Sequence, residues 1–76
     1  MRTYSAIKMI VNGNATAHLD IWHEHNTFHV FEDGSNVFEG GWSATKEFTD
    51  SWIQKYEPLA DTFRKAGMQV DFEGRF

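Results

Sequence analysis

The first half of the chain alternates apolar and polar residues with a period of two, and the second half repeats its apolar residues every three or four positions. Residues 4–11, Tyr-Ser-Ala-Ile-Lys-Met-Ile-Val, are rich in strand formers and end at Asn12-Gly13-Asn14, a strong hairpin signal. Residues 15–25 then alternate, with Ala17, Leu19, Ile21 and His23 on one side and His18, Asp20, Trp22 and Glu24 on the other. A turn at His25-Asn26 leads into residues 27–32, and a further hairpin signal, Asp33-Gly34, leads into residues 35–39. Gly40-Gly41 closes the strand region. The pattern predicts a meander of four short antiparallel strands.

Two-residue loops at His25-Asn26 and Asp33-Gly34 fix an expected register. The first places Glu24 opposite Thr27, His23 opposite Phe28, Trp22 opposite His29, Ile21 opposite Val30 and Asp20 opposite Phe31. The second places Val30 opposite Val37, Phe31 opposite Asn36 and His29 opposite Phe38. One face then gathers Leu19, Ile21, Phe28, Val30 and Val37 as the core. The other gathers His18, Asp20, Trp22, Glu24, His29, Phe31 and Phe38, large aromatics among polar residues. A single helix cannot cover both faces, so the second face is partly wet or is covered by a partner or by the C-terminal segment.

Ser43 is the expected helix N-cap, its hydroxyl meeting a first-turn N–H. Phe48, Trp52, Ile53, Tyr56, Leu59, Ala60 and Phe63 form the apolar stripe that follows. An unbroken helix from residue 44 to 66 would run about 35 Å at 1.5 Å per residue, longer than a compact chain of this size is wide. Pro58 would also clash with the carbonyl of Gln54, so a break or strong kink between residues 55 and 59 is expected, with the second helical piece ending at Gly67. Residues 68–73 alternate again, with Met68, Val70 and Phe72 on one side, and predict either a fifth strand or a tail lying over the second face. The expected fold is α+β, one domain over residues 1–76, with an antiparallel sheet of three to five strands and a broken C-terminal helix on one face.

Composition narrows what such a fold does. With 76 residues there is room for one small core, and 16% aromatic content supplies the bulk for it. Without cysteine there is no disulfide, thiolate nucleophile or thiolate metal site. Eleven acidic against seven basic residues give a formal charge of −4, and residues 1–43 and 44–76 are both net negative. That balance argues against direct nucleic-acid binding, which gains affinity by neutralising phosphates with Lys and Arg. No stretch approaches the roughly 20 apolar residues of a membrane span, so a cytoplasmic protein is expected. Asn14-Ala15-Thr16 fits the glycosylation pattern but reads as a turn without a secretion signal.

His18, His23, His25 and His29 are the candidate metal ligands, but the alternation divides them between two faces and a turn, so no metal and no cofactor is expected. Nucleophile elbow, zinc-protease and phosphate-loop signatures are absent from the sequence, and the carboxylate pairs Asp20/Glu24 and Glu32/Asp33 have little room for a cleft, so no enzyme is expected. Gly40-Gly41 lacks the lysine and hydroxyl of a phosphate cradle. The second face carries the functional reading. Trp22 and Phe31 are the expected binding anchors, His29 and Phe38 their aromatic neighbours, and Asp20 and Glu24 the acidic steering groups. The expected function is a small acidic interaction module, a regulator or inhibitor docking on a larger protein. Its rivals are a homodimer burying Trp22 and Phe31, an acidic nucleic-acid decoy, a histidine metal site and a small enzyme.

Overall fold

A computed structural model describes the backbone of residues 2–74 and the side chains of residues 3–74. Strands β1 (Arg2–Val11), β2 (Asn14–Glu24), β3 (Thr27–Glu32) and β4 (Ser35–Gly40) are followed by helix α1 (Trp42–Lys65) and strand β5 (Val70–Glu73). They form an antiparallel α+β fold, a five-stranded sheet of order β4-β3-β2-β1-β5 with the helix on one face. The meander is built by tight turns. Asn12 and Gly13 have φ of 50° and 83°, and Asp33 and Gly34 have 53° and 80°, the left-handed values that hairpins joining right-twisted strands require. The 68–73 segment is the fifth strand: it pairs with Lys8–Val11 of β1 and extends the sheet sideways.

The five β2–β3 pairs are those set by the His25-Asn26 loop. The β3–β4 register departs from expectation. Phe31 faces Asn36, but Val30 faces Phe38 and His29 faces Glu39, so Val37 is an extra residue in a bulge. The Asn36 amide fills the interrupted ladder, donating to the Val30 carbonyl at 3.2 Å and the Phe38 carbonyl at 3.3 Å. The one-residue shift exchanges two side chains between faces. Val37, expected in the core, is 42% exposed. Phe38, expected beside Trp22, packs against the core and stacks on Phe48 of α1 with ring centroids 4.8 Å apart. Gly40 makes room for it, since a Cβ there would lie 3.1 Å from the Phe38 ring.

Helix α1 is continuous over 24 residues with Pro58 inside, which corrects the expected break. The length argument fails because the molecule is elongated, with extents of 43 × 19 × 19 Å. Strands β1 and β2, of 10 and 11 residues, extend about 33–36 Å at 3.3 Å per residue, and a helix of about 36 Å lies along a sheet of that length. Pro58 and Gln54 are both exposed, so the missing backbone bond lies on the wet side of the helix. Trp52 and Ile53 before it and Ala60 and Phe63 after it hold both halves to the sheet. The helix also begins earlier than expected. Gly41 is the N-cap and no side chain caps the helix, so Ser43 does not have that role. At the other end Gly67 (φ 90°) and Met68 donate to the carbonyls of Arg64 and Phe63, closing the helix near the expected glycine.

The core lies between α1 and the sheet. Ile7, Leu19, Ile21, Phe28, Val30, Trp52 and Ile53 form one cluster, and Met9, Ala60 and Val70 form a second, bridged to the first by Ala17, Tyr56 and Phe72. The helical stripe includes two threonines that apolar periodicity overlooks: Thr45 and Thr49 are fully buried, their hydroxyls donating to the carbonyls of Gly41 and Lys46. Leu59, assigned to the stripe, is 42% exposed. The Trp52 indole donates to Glu32 at 2.9 Å, so the largest core side chain keeps its polar atom paired. Among the described residues no buried side-chain nitrogen or oxygen lacks a partner.

Candidate functional site: the open face of the sheet

The sheet face away from α1 is ordered into cross-strand rows by the register. Tyr4, Trp22, His29 and Glu39 stand side by side across β1–β4, and Ala6, Asp20, Phe31 and Asn36 form the next row. Tyr4 leans on Trp22 with ring centroids 4.6 Å apart at 48°, and its hydroxyl donates to Asp20 at 2.5 Å. That hydrogen bond, then desolvation and the Asp20 charge, raises the Tyr4 pKa above its ordinary 10.0. The other Asp20 oxygen lies 3.5 Å from His18, and His29 lies 3.2 Å from Glu39. Each histidine of this face thus has a carboxylate neighbour.

Trp22, Glu24, His29 and Phe31 line a shallow hollow of about 340 Å³ in the middle of the face. These are four of the six residues the sequence singled out. Asp20 adjoins it through its pairing with Phe31, and Phe38 alone is absent, carried to the core face by the bulge. Sequence reasoning missed Tyr4. The signal is the pair Ile7 and Met9: if these apolar residues face the core, alternation sends Tyr4, Ala6 and Lys8 to the other side. A plain two-residue turn at Asn12-Gly13 gives the opposite answer, because β2 carries an extra residue, Thr16, between the partners of Met9 and Ile10.

Charge is unevenly distributed between this face and the helix surface. By register the open face carries Asp20, Glu24, Glu39, Asp71 and Glu73 against Arg2 and Lys8, three of the chain's four net negative charges. Helix α1 carries Lys46, Lys55, Arg64 and Lys65 against Glu47, Asp50, Glu57 and Asp61, which balance. Several of these pair within the helix, Lys46 with Asp50 and Arg64 with Glu57 and Asp61.

The remaining histidines are elsewhere. His23 stacks on Phe28 at 4.1 Å on the core face, and His25 sits in a turn. Among the described residues no three His, Asp or Glu side chains are grouped so as to hold a metal ion, and no helix is long and apolar enough to cross a membrane. Compared with protein-family models, with curated proteins and with solved structures, the chain matches none.

Proposed function

We propose that this chain is an acidic interaction module that docks through its open sheet face on a basic surface of a larger protein, as a regulator or inhibitor does. The observation that carries the reading is the coincidence, on one face, of the Tyr4–Trp22–Phe31 aromatics with three of the chain's four net negative charges. Aromatic side chains bury large area for little rotamer entropy and dominate binding hot spots, while peripheral charge speeds encounter and selects partners of opposite sign. Self-association through the same face is disfavoured by its charge. A two-fold axis would set five carboxylates of one copy against five of the other.

Sedimentation of the purified protein, together with affinity for a partner recovered from the source cells, tests the proposal. A monomer is expected, whose binding to the purified partner weakens as salt rises and falls at least about 30-fold in Trp22→Ser, the hot-spot threshold of 2 kcal/mol. A dimer that Trp22→Ser dissociates, or binding that Trp22→Ser leaves unchanged, contradicts it.

A further inference from the structure

We infer that the hollow between Trp22 and Phe31 is a receptor for the guanidinium group of an arginine on the partner, an inference that rests on the docking reading above. Three features of the hollow favour this cation. First, its lining combines aromatic rings with a carboxylate: Trp22 and Phe31 on diagonal positions of neighbouring strands, His29 directly across from Trp22, and Glu24 at the rim. A planar delocalised cation stacks on an indole face and offers parallel N–H donors to a carboxylate, and a lysine ammonium, a compact and strongly hydrated point charge, does this less well. Second, Trp22 is held in place. Tyr4 leans on its ring and is itself tied to Asp20, so the indole presents a prearranged surface. Third, the surrounding field is negative, with Asp20 and Glu39 in the rows that flank the hollow. An anionic ligand meets that field unfavourably and a neutral apolar one gains nothing from it.

The arginine side chain enters flat against the Trp22 and Phe31 rings, its stem covering apolar ring surface and its head turned to Glu24. Selectivity should therefore depend on charge and planarity together. Citrulline keeps the shape without the charge. Lysine and trimethyllysine keep the charge without the plane.

The test is a titration of isotope-labelled protein with four blocked tripeptides, glycine flanking arginine, citrulline, lysine or trimethyllysine, followed by the indole N–H resonance of Trp22 and the ring resonances of His29. The expected result is a saturable shift of both with the arginine peptide, and at least about tenfold weaker binding for the other three, equivalent to 1.4 kcal/mol. Glu24→Gln and Phe31→Leu should each weaken the arginine peptide severalfold while the Leu19 and Val30 methyl resonances keep their positions, which separates lost binding from lost fold. Equal response to citrulline, equal or tighter response to trimethyllysine, or shifts confined to other surfaces overturn the guanidinium assignment. If the arginine peptide fails while Trp22→Ser still abolishes partner binding, the guanidinium inference falls and the docking reading stands. If the peptide binds as described and partner binding ignores Trp22, the docking reading falls.

Discussion

Ile21 and Trp22 are neighbours on β2 and point to opposite sides of the same sheet. Ile21 is 1% exposed, among Leu19, Val30 and Trp52 under the helix, whereas Trp22 sits in a row of aromatic and charged side chains that no element of the described chain covers. Both faces are aromatic, so hydrophobicity alone does not separate them. The separation comes from what accompanies the rings. On the core side the polar groups are paired with the fold itself, as Trp52 is with Glu32 and Thr45 with Gly41. On the open side they form a rim of carboxylates with unbalanced charge. One face therefore carries stability and the other is available for recognition.

The largest effects should come from breaking the core face. Trp52→Ala should cost about 3–5 kcal/mol and Leu19→Ala about 2–5 kcal/mol in denaturant unfolding, the range for emptying well-packed sites. In a chain of 76 residues such losses approach the whole stability of about 5 kcal/mol, so both variants should be largely unfolded near room temperature by circular dichroism. Opposite in sign is Pro58→Ala. It restores a backbone donor to a helix that is already continuous, and should raise stability by up to about 3 kcal/mol. A loss on that substitution would mean that Pro58 positions the helix rather than merely being tolerated in it.

A smaller effect is expected at the bulge that sorts Phe38 from Val37. Asn36→Ala removes the donor to the Val30 and Phe38 carbonyls and should cost about 1–2 kcal/mol in unfolding, because those acceptors lose their protein partner. If the bulge then relaxes to the regular register, Phe38 should leave Phe48 and appear on the open face, which side-chain cross-peaks between the two rings would report.

These positions also mark where the sequence was readable and where it was not. The β2–β3 ladder followed from one tight turn and strict alternation, and nothing interrupts either. It placed Trp22, Glu24, His29 and Phe31 on one face, so most of the candidate site was legible. Each error on the sheet traces to one inserted residue. The Val37 bulge moved Phe38 away from the site, and the extra residue Thr16 hid Tyr4 from a register counted out of the Asn12-Gly13 turn. Bulges escape pattern reading because local preference costs little either way, and the choice is made by which face must bury Ile7, Met9 and Phe38. The helix error was of another kind. Pro58 was read by its local penalty, but the packing of Trp52, Ile53, Ala60 and Phe63 along an elongated sheet outweighs it.

The tyrosines extend the comparison to high pH. Tyr56, at the helix–sheet boundary, has its pKa raised by burial first, then by the charges of Glu32 and Asp33 and a hydrogen bond to Glu32. Tyr4 on the open face is raised chiefly by its bond to Asp20. For both, the folded value lies above the unfolded 10.0, so the stability they contribute is fully present below that pH and is lost as pH rises through the folded value. Absorbance titration should show both phenols ionising later than in the unfolded chain. Tyr4→Phe should remove the open-face component and leave that of Tyr56. Ionisation of either at its ordinary value would contradict the corresponding contact.

The smallest expected change is also the most informative, and it returns to the two neighbours on β2. Urea unfolding of Ile21→Ala and Trp22→Ser, measured side by side, compares the faces within one strand. Ile21→Ala should lose about 2–5 kcal/mol. Trp22→Ser should lose only about 1 kcal/mol, the scale of strand preference and cross-strand pairing on a solvent-facing surface, with an unchanged denaturant slope. Equal losses at the two positions would show that the aromatic face is held as core by the chain itself, and the division between a face for stability and a face for docking would not stand.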